Sequence, residues 1–303
     1  MEPGTRPGVF ALWVCVAFCF GLLVSSGVKA AEPKSGNGNT FVIGVVPVNS
    51  ARALFASYQP LRLFLQKHLQ RDVRIVTAPN FEEFMRRALK GSYDLAITAG
   101  HQARALQTDA GFLPLVAYQA DFRVVWVKAA NNPAVMRLED LNGRKVLSLG
   151  ISSLAWLWGR QDLVERGVVP ATVGFVSASD SVAEIILAGG ASAAVLTQVG
   201  VDQLNVNVSR QLQVFERSPS FVGRVYMLNP RFVDEYSSLR QALDAFALTD
   251  AAQEYFQRSK LLGYRDVQPA DLEAMEPYAH ALREQLNDEG KVKRTEYVPN
   301  DAK

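Results

Sequence analysis

The sequence predicts a two-lobed α/β protein, each lobe a mostly parallel sheet flanked by helices, with two crossover segments joining the lobes. Three observations predict it. Short apolar, β-branched runs alternate with amphipathic helical stretches, the rhythm of right-handed βαβ crossovers. The rhythm pauses after Tyr118 and restarts at Phe122. A late apolar run at residues 222–228 then returns the chain to the first sheet, so two crossings are expected, near residues 118–123 and 217–224.

Residues 41–46 (FVIGVV) form an apolar run of the kind a buried parallel strand requires. A helix follows over 53–69, with Leu61, Phe64, Leu65 and Leu69 on one stripe. Residues 73–76 make a second strand. Asn80 and Glu83 then resemble a capping box opening a helix that runs to Lys90 and stops at Gly91. Residues 93–98 (YDLAIT) and 113–118 complete the first unit, with a helix starting near His101. The second unit reads as strands at 122–128, 145–149, 173–176 and 193–197, a helical turn at 138–143, and helices at 152–166 and 181–188. After 222–228 the chain is helical to about Asp288. The expected division is residues 41–121 plus 222–290 for lobe 1 and 122–221 for lobe 2, with 291–303 a loose tail.

The N-terminus decides the compartment. Residues 9–24 carry no charge, Arg6 precedes them and Val28-Lys29-Ala30 follows, the order of a cleaved secretory signal over residues 1–30. The apolar run is shorter than the roughly 20 residues of a spanning helix. Residues 31–40 (AEPKSGNGNT) read as a flexible leader. Export to the periplasm is expected. Cys15 and Cys19 both lie in the apolar run, so the mature chain holds no thiol for a disulfide, a metal or catalysis. Without residues 1–30 it carries 30 basic and 29 acidic residues, no concentrated basic face and hence no expected nucleic-acid partner. The three histidines, His68, His101 and His280, are not spaced as metal ligands. No catalytic motif, cofactor motif or acid–base pair is present, and a non-enzymatic monomer without cofactor is expected.

In such sheets ligands bind at the C-terminal ends of strands, beside helix N-termini. Four loops occupy that position. They offer Asn49 and Ser50; Thr98 and His101; Ser152 and Ser153; and Ser179 and Asp180, with Thr197 ending a further strand. Hydroxyls and amides at helix N-termini hold an oxyanion without burying a full countercharge. The same residue types are ordinary helix caps. At the crossings, Arg224 and Arg123 are each placed either to pair with an anion or to form a hinge salt bridge.

The opening FVIGVVPVNS, Tyr58-Gln59-Pro60-Leu61, YDLAITAG, LEDLNGRKV and SASDSVAEIILAGGASAAVL stand in one order over residues 41–290. This set resembles the phosphate/phosphite/phosphonate periplasmic binding proteins of ABC importers, a type II two-lobed binding fold. The resemblance implies a small anion in an interlobe cleft, Tyr58 among its ligands, and delivery to a membrane permease. The family's Ser-Thr-Ser-Gly loop, which clasps phosphonate oxygens, is Ser152-Ser153-Leu154-Ala155 here; its strand-three aromatic is Thr98; a common histidine is Ser179; a common aspartate is Ser192. A late carboxylate that receives an amino group in some members falls near Arg224. Lost carboxylates and a gained arginine imply a plain anion rather than an aminoalkyl phosphonate. The same lobes also suit an alternative partner, the periplasmic domain of a sensor kinase.

Overall fold

Each sheet grows from the apolar runs named above, and the helices between them bury one stripe apiece. The computed structural model describes residues 40–48, 51–176 and 178–288, all within one compact unit. The first run contains β1 (Thr40–Val45), α1 (Ala51–Leu69), β2 (Asp72–Val76), α2 (Phe81–Leu89), β3 (Leu95–Thr98), α3 (Gly100–Ala110) and β4 (Leu113–Tyr118). The second contains β5 (Val124–Ala129), β6 (Lys145–Ser148), α4 (Leu154–Glu165), β7 (Thr172–Phe175), α5 (Ser179–Leu187), β8 (Ala193–Thr197), α6 (Gln198–Asp202), α7 (Val206–Ser209) and β9 (Leu212–Arg217). The return comprises β10 (Val225–Leu228), α8 (Tyr236–Ala247), α9 (Asp250–Arg258), β11 (Tyr264–Arg265), α10 (Pro269–Glu273) and α11 (Glu276–Asp288).

The strands form two mixed sheets, ordered β11-β4-β10-β3-β1-β2 and β7-β6-β8-β5-β9. Four strands in each sheet share a direction, but β10 runs antiparallel between β3 and β4, and β5 runs antiparallel between β8 and β9. The inserted strand is in each case the one that follows a crossing, because a chain entering a sheet from the hinge side runs against strands that end there. The crossings run side by side: Phe122 and Phe221 form an antiparallel bridge, and Tyr118 N donates to Arg224 O at 2.9 Å. Strand β9 is one the sequence reading leaves unassigned. It has no fully buried residue, so its apolar side chains give no clean alternation.

Local rules hold where they were read. Asn80 Oδ1 accepts from Glu83 N at 2.8 Å, capping α2, and Gly91 beyond its end takes φ +70°. Trp156 and Trp158 of α4 are both buried, and Trp156 meets Phe175 edge-on at 5.5 Å. The signal segment, flexible leader and loose tail lie outside the described residues, as do Asn49 and Ser50.

The largest apolar cluster is not confined to one lobe. It joins Phe84 and Leu106 beside the first sheet to Trp126, Leu154 and Trp156 of the second and to Leu282 of α11. Helix α11 packs on both α3 and α4. The aromatic residues are segregated. Among the described residues, every tryptophan lies within 122–221 and every tyrosine outside it.

Candidate functional site

A cavity of about 70 Å³ opens where α1, the two crossings, α6 and α9 meet. Its apolar wall includes Val48, Leu54 and Val199, and its polar groups include Tyr58, Tyr118, Arg224 and Tyr255. None of the described residues lining it is acidic.

The position of each group follows from its element. Tyr58 lies on the buried face of α1 with Leu54, Leu61 and Leu65. Tyr118 ends β4, Arg224 directly precedes β10, and Tyr255 comes from α9, which packs on α1. Gly223 brings the crossings together: a Cβ there would lie 3.2 Å from the Tyr118 carbonyl oxygen.

The tyrosines share a hydroxyl network. Tyr118 Oη lies 3.2 Å from Tyr58 Oη and 2.9 Å from those of Tyr226 and Tyr255, and Tyr226 Oη is 2.9 Å from that of Tyr264. Burial pushes the hydroxyls of Tyr118, Tyr226, Tyr255 and Tyr264 above the ordinary tyrosine range, so they remain protonated at neutral pH. Arg224 Nη1 donates to Tyr58 Oη at 3.2 Å. Its side chain is half-buried, and it makes no ion pair among the described residues. A guanidinium has five N–H donors and does not deprotonate. The cavity therefore offers a cation with spare donors, neutral hydroxyls and a short apolar wall. Chemically, that set suits an anion better than an ammonium group.

Of the candidates read from the sequence, the described structure brings Tyr58 and Arg224 to this cavity. Thr197 does not line it; its Oγ1 accepts from Gly200 N at 3.1 Å to cap α6. Ser179 packs against α6 near Gly200, and exposed Asp180 accepts from Ser181 N at 2.8 Å. Thr98 is fully buried and donates to Gln102 Oε1 at 2.5 Å. Arg123 forms the hinge salt bridge, 2.7 Å from Asp121.

His101, Ser152 and Ser153 gather at a separate contact between the lobes. Ser152 Oγ donates to Glu82 Oε1 at 2.6 Å, and His101 Nε2 lies 3.1 Å from the Ser152 carbonyl oxygen. A carbonyl only accepts, so Nε2 carries the proton and Nδ1 is a buried lone pair without a partner. Burial lowers the His101 pKa to about 4, opposed by that hydrogen bond, and the ring is neutral at physiological pH. Ser153 Oγ accepts from Trp156 N at 3.2 Å as the α4 N-cap and donates to Gly150 O at 2.7 Å. No group of His, Cys, Asp and Glu among the described residues is arranged to hold a metal ion.

Sequence reading missed Tyr118 and Tyr255 as cavity residues and Glu82 as the partner of Ser152. Tyr118 stood at a predicted crossing, which was its one signal. Tyr255 gave none, since only the packing of α9 on α1 carries it to the cavity.

The fold has counterparts among known proteins. The Phosphate-import protein PhnD of Mycolicibacterium smegmatis is 22% identical over 253 residues, covering 74% of this chain and 79% of that protein. PhnD1 from Prochlorococcus marinus, solved in complex with methylphosphonate, superposes with a TM-score of 0.70 at 17% identity, over 82% of this chain and 99% of that one. XAC2383 from Xanthomonas citri, solved bound to a chloride ion, gives 0.69 at 17% identity over the same shares. A family model matches residues 43–272, most of the chain, and on that match the protein belongs to the periplasmic phosphonate substrate-binding proteins of ABC transporters.

Proposed function

We propose that the protein captures a small oxyanion of the phosphate, phosphite or phosphonate type in its interlobe cleft and presents it to an ABC permease. Arg224 carries this reading: a half-buried guanidinium, without a carboxylate partner among the described residues, facing a cavity with protonated tyrosines. Hydrogen bonds to a charged group contribute about 1.5–3 kcal/mol each. An anion engaging Arg224 would supply the countercharge that the described structure leaves out.

Isothermal titration tests it with inorganic phosphate, phosphite, methylphosphonate and 2-aminoethylphosphonate. At least one of the first three should bind with one-to-one stoichiometry. The amine-bearing compound should bind at least about tenfold more weakly than methylphosphonate, because the cleft sets a cation where an ammonium would need a carboxylate. Arg224→Ala should weaken binding at least about tenfold. Preference for the amine-bearing compound, or no binding by any of the four, would overturn the assignment.

A further inference from the structure

The second contact between the lobes has the composition of a filled anion site. Glu82 sits in the first turn of α2, 6% exposed, and forms no ion pair among the described residues. Its carboxylate meets the hydroxyl of fully buried Ser152, one residue before the N-cap of α4. The carboxylate thus lies near two helix N-termini, that of its own α2 and that of α4 across the cleft, and both dipoles favour negative charge there. His101, at the start of α3, holds the Ser152 carbonyl from the same side. Phe81 lies over Gly150, with its Cδ2 3.5 Å from where a Cβ would stand.

The surroundings are buried. His101 and Ser153 are 1% and 5% exposed, and the apolar cluster running through both lobes lies alongside. Tyr278 of α11 meets Phe221 of the second crossing edge-on at 5.5 Å, while α11 itself spans α3 and α4. Interfaces that part easily are more polar than this. Opening the lobes here would expose apolar surface and strip the buried carboxylate of the one hydroxyl that solvates it.

We propose that Glu82 is a resident substitute for an external oxyanion: it latches the serine loop of the second lobe to the first, so that the protein rests closed without ligand and Ser152 is unavailable to a captured anion. Selectivity then belongs to the Arg224 cavity, and the latch sets how much of the population is already competent to bind. The titration and the methylphosphonate scattering rest on the anion-capture reading; the scattering of the empty proteins does not.

Small-angle X-ray scattering on the full mature protein, without ligand and with saturating methylphosphonate, tests the latch. Wild type should be compact and unchanged by the compound. Glu82→Ala should be expanded when empty and contract on addition of methylphosphonate. Ser152→Ala, which removes a single oxygen, should shift the same way and serves if Glu82→Ala does not fold. Apparent affinity falls in proportion to the competent fraction, so a variant closed one-tenth as often as wild type binds about tenfold more weakly. An empty wild type that contracts with methylphosphonate overturns the proposal, as does a Ser152→Ala protein as compact as wild type or an expanded variant with unaltered affinity. If no anion binds any variant, the anion-capture reading fails while the empty-state scattering still decides the latch.

Discussion

Arg224 is held among hydroxyls where proteins ordinarily supply a carboxylate, and this has an energetic signature in the empty protein. A half-buried charge without a countercharge adds little to folding, and replacing such a group with an apolar one of similar size is often neutral or stabilising. Arg224→Met should therefore abolish anion binding without lowering the melting temperature of the ligand-free protein. A purely structural arginine would give the reverse, and differential scanning calorimetry beside titration separates the two. His101 has its own signature. Its folded pKa of about 4 lies below the ordinary 6.5, so the unfolded chain takes up its proton first as the solution is acidified. Its contribution is complete above pH 6.5 and is lost as pH falls through about 4, on the order of 3 kcal/mol over that window. Urea unfolding at pH 7 and pH 4.5 should show a larger loss for wild type than for His101→Gln. At this scale the sequence was informative about position and silent about partners. Tyr58 was legible through the family resemblance, and Arg224 through its place at a crossing. Ser152 was legible as a residue at a helix start, but its hydroxyl partner is decided by Glu82, 70 positions away in the other lobe.

Elements were legible wherever one periodicity dominated. The buried strands β1, β3 and β5 announced themselves as apolar runs, and α2 by its cap and its terminal glycine. Strand β9 escaped because an element without a buried face leaves no periodic trace, and the antiparallel setting of β5 and β10 depends on the hinge rather than on their own residues. Two substitutions probe elements in isolation. Gly44 in β1 sits beneath Tyr93, whose ring carbon would lie 2.4 Å from an added Cβ. Gly44→Ala should cost about 1–3 kcal/mol through forced repacking, read as a lower denaturation midpoint with unchanged slope. Ser153→Ala removes the N-cap of α4 and should cost about 1 kcal/mol in the same measurement. It should leave methylphosphonate affinity within about twofold, since the hydroxyl serves its own helix.

The molecule as a whole is two sheets tied by paired crossings, a shared apolar cluster and a C-terminal helix lying on both lobes. The two-lobed plan was legible because the βαβ rhythm stops and restarts. The tie was not, because α11 shows one amphipathic stripe and nothing in the sequence says that the stripe spans two bodies. Mass spectrometry of the exported protein should find an N-terminus at or near Ala31, and light scattering should give the mass of a monomer; an intact Met1 in the membrane fraction would refute the first. The segregation of aromatic residues gives the protein an optical ruler of its own. Tyrosine excitation can pass to tryptophan only over short distances, and among the described residues the tryptophans lie in the second lobe and the tyrosines, apart from Tyr278 on the shared helix α11, in the first. Tyrosine-sensitised tryptophan emission therefore reports the gap between the lobes with no dye attached, and a closing or opening cleft would register as a change in that ratio within the mixing time of a stopped-flow cell.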